Sequence, residues 1–206
     1  MKKRIYLLFL SIFMVSLFNG CATTIPMSSN PNDFVMLGIK TNNSANVSYE
    51  FTSKVIDGET KLYTKDKEKI DNNHTAAIVT ESATLNRMMK NYMESKFTKL
   101  NSDGEIKINI ELQDFWLENY GDSVGKAILL GVNNMNTTYV ANVKVLVTIN
   151  YDGQELVKTF QSSADDTRSG QSVGQNAWEN LVGRIINNAN NKILMLLNAQ
   201  FEELKL

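Results

Sequence analysis

The chain of 206 residues has one cysteine, one histidine and two prolines. A lone cysteine excludes a disulfide within one molecule. A lone histidine, His74, excludes a cluster of imidazole ligands and leaves a Ser/His/Asp triad only one base to be built around. It lies in a polar stretch, which suits a solvent-facing side chain. Charge of one sign is also missing, since 21 Lys and Arg meet 22 Asp and Glu for a formal net charge of −1. Nucleic acid is excluded as a partner, because its phosphates call for clustered Lys and Arg. No apolar run reaches the roughly 20 residues of a comfortable bilayer crossing.

What is present begins at the first residues. Lys2, Lys3 and Arg4 precede an almost wholly apolar run from Ile5 to Phe18, and Asn19, Gly20 and Cys21 follow. A basic segment, a short apolar segment and a small residue at the cut site describe a secretory signal. Leu17-Phe18-Asn19-Gly20-Cys21 resembles the lipobox of bacterial lipoproteins, whose Cys thiol receives diacylglycerol and becomes the mature N-terminus. Phe18 and Asn19 depart from the usual Leu and Ala or Ser, while Gly20 and Cys21 fit. Lipidation also explains a leftover cysteine in an exported chain. One acyl chain anchors marginally and two or more anchor stably, so a triacyl group such as one carrying palmitate suffices.

The expected organisation is a lipoprotein signal peptide over 1–20, a lipidated tether over 21–33 and a single domain over 34–206. The tether is small and polar, with Pro26 and Pro31, and buries too little apolar surface to order itself. Removing 1–20 takes three positive charges from −1 and leaves −4. Ala22, where Asp would favour the inner membrane, points to the periplasmic face of the outer membrane.

Periodicity supplies the elements. Phe34–Ile39, ended by Thr41-Asn42-Asn43, predicts a strand, and Val47, Tyr49 and Phe51 predict another. Mixed charges from Gly58 to Asn73 predict a solvated hairpin or loop, and Ala76–Val79 a short strand. Leu85, Met88, Met89, Tyr92, Phe97 and Leu100 predict a helix capped by Ser82 or Thr80 and ended by Asn101–Gly104. Its methionines read as core. Ile106, Ile108, Ile110 and Leu112 alternate with polar residues as a half-buried strand, and the slip past Gln113 towards Phe115 and Leu117, or Trp116, predicts a bulge. The run Tyr139–Tyr151, the turn Asp152-Gly153 and the return Leu156–Gln161 predict a hairpin. After a polar turn over Thr167–Gln171, Ser172 and Gln175 form a capping-box pattern. The closing helix buries Trp178, Leu181, Val182, Ile185, Ala189, Ile193, Leu196 and Leu197, and the Asn-rich stretch 187–191 loosens it. The expected fold class is α+β, an antiparallel β-sheet with two helices packed on one face.

Motifs that carry chemistry are few. Asp165 and Asp166 are adjacent on a strand and point to opposite sides, which excludes a working carboxylate pair. Gly121 to Ala127 looks like a phosphate-binding loop, but it is one residue short and has Ala127 where Ser or Thr must hold Mg²⁺. Ile128, Leu129 and Leu130 lie in the glycine-rich connection that follows. Two readings are open for them: a loop folded back on the core, or an apolar lip touching lipid or a partner. No catalytic residue, metal ligand or cofactor is read from the sequence.

Ile78-Val79-Thr80-Glu81-Ser82-Ala83-Thr84-Leu85-Asn86-Arg87-Met88-Met89, with the Ile106–Leu112 strand, the Tyr139–Ser163 hairpin and the closing helix, resembles the YajG-like family of small Gram-negative lipoproteins. The likeness runs from about Asn32 to the C-terminus, and Gly121–Asn136 and the Lys-rich stretch depart from it. It implies an uncharacterised envelope lipoprotein and supplies no reaction or active-site residue. A similar layout occurs in auxiliary lipoproteins of ABC-type envelope lipid transport systems. The expected function is a non-enzymatic binding or scaffold role, membrane-anchored through lipid and engaging an unidentified envelope protein. The alternatives are that auxiliary transport role and an enzyme with an unrecognised site. Acid–base chemistry needs positioned titratable groups, and their scarcity favours binding.

Overall fold

The computed structural model describes residues 23–24, 39–60, 62–63, 77–121, 136–169 and 175–206. In chain order the elements are β1 (Thr23–Thr24), β2 (Asn42–Ser53), β3 (Gly58–Thr60), β4 (Leu62–Tyr63), β5 (Ala77–Val79), α1 (Glu81–Lys96), β6 (Phe97–Leu100), β7 (Ile106–Gly121), β8 (Asn136–Tyr151), β9 (Gln154–Ser169) and α2 (Gln175–Glu203). The main sheet has the order β6-β2-β7-β8-β9, and β1, β5 and β3 form a second, smaller sheet.

Period-2 patterning builds the centre of the main sheet. Ile108, Ile110, Leu112, Ala141, Val143, Val145, Val147 and Ile149 are all buried on one face, under both helices. The predicted slip is real: the β7–β8 register shifts between Leu112 and Asp114. The extra residue, Gln113, returns Phe115 and Leu117 to the buried face opposite Val143 and Ala141. Asp152 and Gly153 adopt φ of 50° and 71°, the left-handed pair whose twist suits a two-residue hairpin. β9 then runs to Ser169, so Thr167 to Ser169 belong to the strand and not to the predicted turn.

The α+β class and the two helices on one face agree with the sequence reading; the purely antiparallel sheet does not. β2 pairs parallel with both β6 and β7, and β4 pairs parallel with β7 beyond the end of β2. The cause is a crossing. β6 follows the start of β2 as far as Leu100 opposite Val47, and β7 resumes on the other side with Ile106 opposite the same Val47. Between them the chain passes over β2. The Asn101 amide donates to the Val47 carbonyl at 2.9 Å. Gly104 is buried there, and a Cβ on it would lie 2.2 Å from the Ser48 nitrogen and the Val47 carbonyl carbon. Only glycine lets one backbone approach another so closely.

Three further expectations change. Asn42 and Asn43 belong to a strand, since β2 starts at Asn42; residues 34–38 of the strand expected before them lie outside the described residues. The first helix ends at Lys96, and Phe97–Leu100 is β6. Phe97 still enters the core, which is why the helical spacing extends past the helix. The Gly58–Asn73 stretch contributes β3, antiparallel to β5, and β4.

The helices lie side by side and parallel, tied by Asn190 to Glu81, Tyr92 to Asn198 and Lys96 to Glu202. Phe201 stacks on Tyr92 and meets Phe97 edge-on, with centroids at 6.2 and 5.4 Å. On its other flank α2 is tied to β9: Arg184 pairs with Asp166, Ser162 donates to the Ala189 carbonyl, and Lys192 donates to the Ser163 carbonyl. The Asn-rich stretch does not loosen this helix, because Asn190 faces α1. Leu196, expected in the core, is 40% exposed, and Leu194 is buried instead.

Candidate functional site

The two helices, the start of β2 and the β8–β9 turn end together, and a polar groove lies between them. Local chemistry shapes each wall. The Asn42 side-chain oxygen accepts from the Ser44 amide at 2.9 Å, the Ser44 hydroxyl at 3.0 Å and the Ala45 amide at 3.0 Å. This Asx turn coincides with the register shift between Asn42 and Asn46. The Thr41 hydroxyl donates to the Ser95 carbonyl at 3.2 Å and ties the entering chain to the last turn of α1. The end of α2 closes with bonds from Leu206 to the Phe201 carbonyl and from Lys205 to the Glu202 carbonyl. This is a Schellman arrangement, and it holds Lys205 at φ 60°, where glycine or Asn is usual.

One cavity of about 580 Å³ is lined by Lys40, Thr41, Asn42, Asn43, Ser44, Lys96, Glu202, Lys205 and Leu206. A second of about 540 Å³ is lined by Asn42, Ser44, Ala45, Asn46, Glu105, Ile106, Tyr151, Asp152, Gly153, Lys205 and Leu206. They share Asn42, Ser44, Lys205 and Leu206, so together they form one trough. Three lysines (40, 96, 205) face three carboxylates (Glu105, Asp152, Glu202). Lys96, 1% exposed, donates to Glu202 at 2.6 Å. That bond, with the charge of Lys96 and then of Lys40, holds the Glu202 carboxyl below the usual carboxylate range.

Tyr151 stands at the rim. Its parity along β8 puts it on the helix-covered face with Ile149 and Val147, yet it is 42% exposed because the strand outruns the helix ends. In the sequence it is the last residue of the alternating run Tyr139–Tyr151. An aromatic directly before an Asp-Gly turn was the available signal. Lys96 and Glu202 had none, since they meet across 106 positions.

The N-terminus of α1 holds a different kind of polar site. Asp57, 25 residues upstream, accepts the Ser82 amide at 2.7 Å and the Ala83 amide at 3.0 Å, and so caps α1 in place of Thr80 or Ser82. Glu81 beside it is 1% exposed. Burial pushes its carboxyl well above the usual range; a bond from Asn190 at 3.3 Å opposes this and the charge of Asp57 adds to it. Further along, Trp116 donates to Glu118 at 2.6 Å, both buried on the face of the sheet away from the helices.

Of the residues singled out in the sequence, Cys21, His74, Ile128, Leu129 and Leu130 lie outside the described residues. So do Ser172 and most of Gly121–Ala127. β1 begins two positions after Cys21 and pairs with Ala77 and Ile78, just before α1. A strand therefore stands within the segment expected to be tether. Gly121 and Asn136, the last and first residues of β7 and β8, lie at the end of the sheet remote from the groove. Asp165 and Asp166 do point apart: Asp165 is exposed, and Asp166 faces α2 and pairs with Arg184. Met88, Met89 and Met93 are buried as core.

No family model and no curated protein matches the chain. Among solved structures it is similar to a Xanthomonas campestris protein of the DUF330 family, at 10% identity over 89% of this chain and 99% of that one, with a TM-score of 0.49. It is also similar to the rare lipoprotein B from Shewanella oneidensis, at 13% identity over 77% and 99% of the two chains, with a TM-score of 0.46. A minor lipoprotein from Acinetobacter baumannii gives 13% identity over 75% and 92%, with a TM-score of 0.39. All three scores lie below one half, which leaves function to be argued from the chain's own residues.

Proposed function

We propose that this chain is a lipid-anchored protein of the bacterial envelope that acts by binding through the polar groove, and not by catalysis. One observation carries the reading. The sole cysteine follows a basic and apolar leader directly, and β1 begins two positions later, paired beside the N-terminus of α1, whose other end borders the groove. A triacyl group on Cys21 would then hold the chain near the N-terminus of α1, with the groove a helix length away. Ala22 favours the periplasmic face of the outer membrane as the site of anchoring. The binding role follows from the groove's lining of amides, hydroxyls and balanced charges.

Mass spectrometry of the protein purified from membranes tests the anchor. The mature N-terminus is expected to be Cys21 bearing acyl chains, and Cys21→Ala is expected to abolish incorporation of labelled palmitate. A mature chain that starts elsewhere, or palmitate retained in Cys21→Ala, removes the anchor from the proposal.

A further inference from the structure

We infer that the groove is a site for a linear glycan of neutral acetamido sugars, with Tyr151 as the ring on which a sugar stacks. The lysines do not point to an anion. Lys96 is engaged by Glu202, and Lys40 faces the same carboxylate. Lys96 and Lys205 also stand at helix C-termini, where a cation is favoured whatever the ligand. With three cations against three carboxylates, an anionic ligand gains little.

A headgroup of the anchoring membrane is excluded by position, and this step rests on the anchor proposed above. α1 alone, at 16 residues and 1.5 Å per residue, sets the groove about 24 Å from the level where Thr24 pairs. That is several times the ~8 Å over which exposed charges act at physiological salt. From either membrane, this places the groove towards the space where wall polymers lie.

What remains unexplained is a half-exposed aromatic ring in a polar trough. A pyranose ring presents C–H groups on its faces, which stack on an aromatic, and hydroxyls around its rim, which both donate and accept. The lining supplies the counterpart groups. Asn43 is exposed and carries an amide, Thr41 and Ser44 carry hydroxyls, and Glu105 and Asp152 carry carboxylates that accept. Side-chain amides match an acetamido group in kind, donor to acceptor and acceptor to donor. The two cavities meet along shared residues, and each falls in the ~300–1,000 Å³ range of ligand sites. A trough with more than one compartment suits a chain of sugars better than a single one.

Calorimetric titration of the full-length protein in detergent with chitotetraose, a β-1,4-linked tetramer of N-acetylglucosamine, tests this. Binding is expected, with Tyr151→Ala weakening it about tenfold, Tyr151→Phe keeping it within about twofold, and Asn43→Ala weakening it about threefold. Equal unfolding midpoints for the variants would locate the losses at the site. Absence of binding at millimolar sugar overturns the inference, as does equal affinity for Tyr151→Ala. Inorganic phosphate binding in place of the sugar overturns it too. The mass of Cys21 in the same sample keeps the two proposals apart: sugar bound by an unacylated chain sinks only the anchor, and no sugar bound by an acylated chain sinks only the glycan.

Discussion

At the scale of single residues, Gly104 decides whether the sheet can form. β7 continues on the far side of β2 only if a backbone passes directly over Val47 and Ser48, and any Cβ at 104 would sit at 2.2 Å from backbone atoms that cannot rotate away. Gly104→Ala is therefore expected to lose at least about 3 kcal/mol of stability, or to prevent folding. A urea midpoint close to that of the parent would show that the crossing can widen at small cost. In the sequence this glycine is one of a polar group after a helical pattern, and it reads as a stop signal. Its actual partner lies 56 positions upstream in Ser48, and no local pattern can report a contact of that kind.

At the scale of elements, the helices show what periodicity can and cannot tell. The apolar stripes of α1 and α2 were visible, since burial on a helix repeats every 3.6 residues whatever it packs on. Their ends were not. α1 stops at Lys96 because the chain is needed as an edge strand beside β2, and its first turn is capped from Asp57. Polar residues on the buried flanks were equally silent. Glu81 looks like an ordinary first-turn carboxylate, favourable at a helix N-terminus, yet α2 covers it and leaves one of its oxygens without a partner.

The sign of the consequence follows from linkage. Glu81 has a folded-state pKa above its unfolded value, so between the two the folded state holds more protons than the unfolded one. Stability then falls as pH rises from the usual carboxylate range through the raised value. Burial raises it most, Asn190 opposes the rise and the charge of Asp57 adds to it. Glu81→Gln, which is neutral at every pH, is expected to flatten that slope and to be more stable than the parent on the alkaline side. Denaturant titrations across the pH range measure it, and parallel curves for the two proteins would rule out Glu81 as the source.

At the scale of the whole molecule, the long β7–β8–β9 meander gives the protein two unlike ends. One carries the β8–β9 turn, both helix C-termini and the groove; the other carries Ser169, Asn136 and Gly121, with β1 between them beside the N-terminus of α1. If Cys21 is acylated, residues along β9 should lie at graded distances from the bilayer. Gln154 and Thr167, 13 positions apart on that strand, are separated by about 44 Å. With fluorophores on Gln154→Cys and Thr167→Cys in vesicles containing brominated lipid, quenching at 167 is expected to exceed quenching at 154 severalfold. Equal quenching, or the reverse order, would mean that the groove does not face away from the membrane.

Some of this was settled by sequence alone. Leader, lone cysteine, strand alternation, the Asp-Gly turn and two amphipathic stripes are local patterns, and each follows from backbone geometry or from the chemistry of a few neighbouring residues. They suffice for the α+β class, and the leader and cysteine carry the proposal of an anchor. Tertiary structure alone decided the rest: the parallel pairing of β2, the crossing at Gly104, the cap from Asp57, and the meeting of Lys96 with Glu202 beside Tyr151. Each joins segments far apart in the chain. Their energetics depend on which backbone or side chain arrives opposite, and the residue types at either position do not encode that.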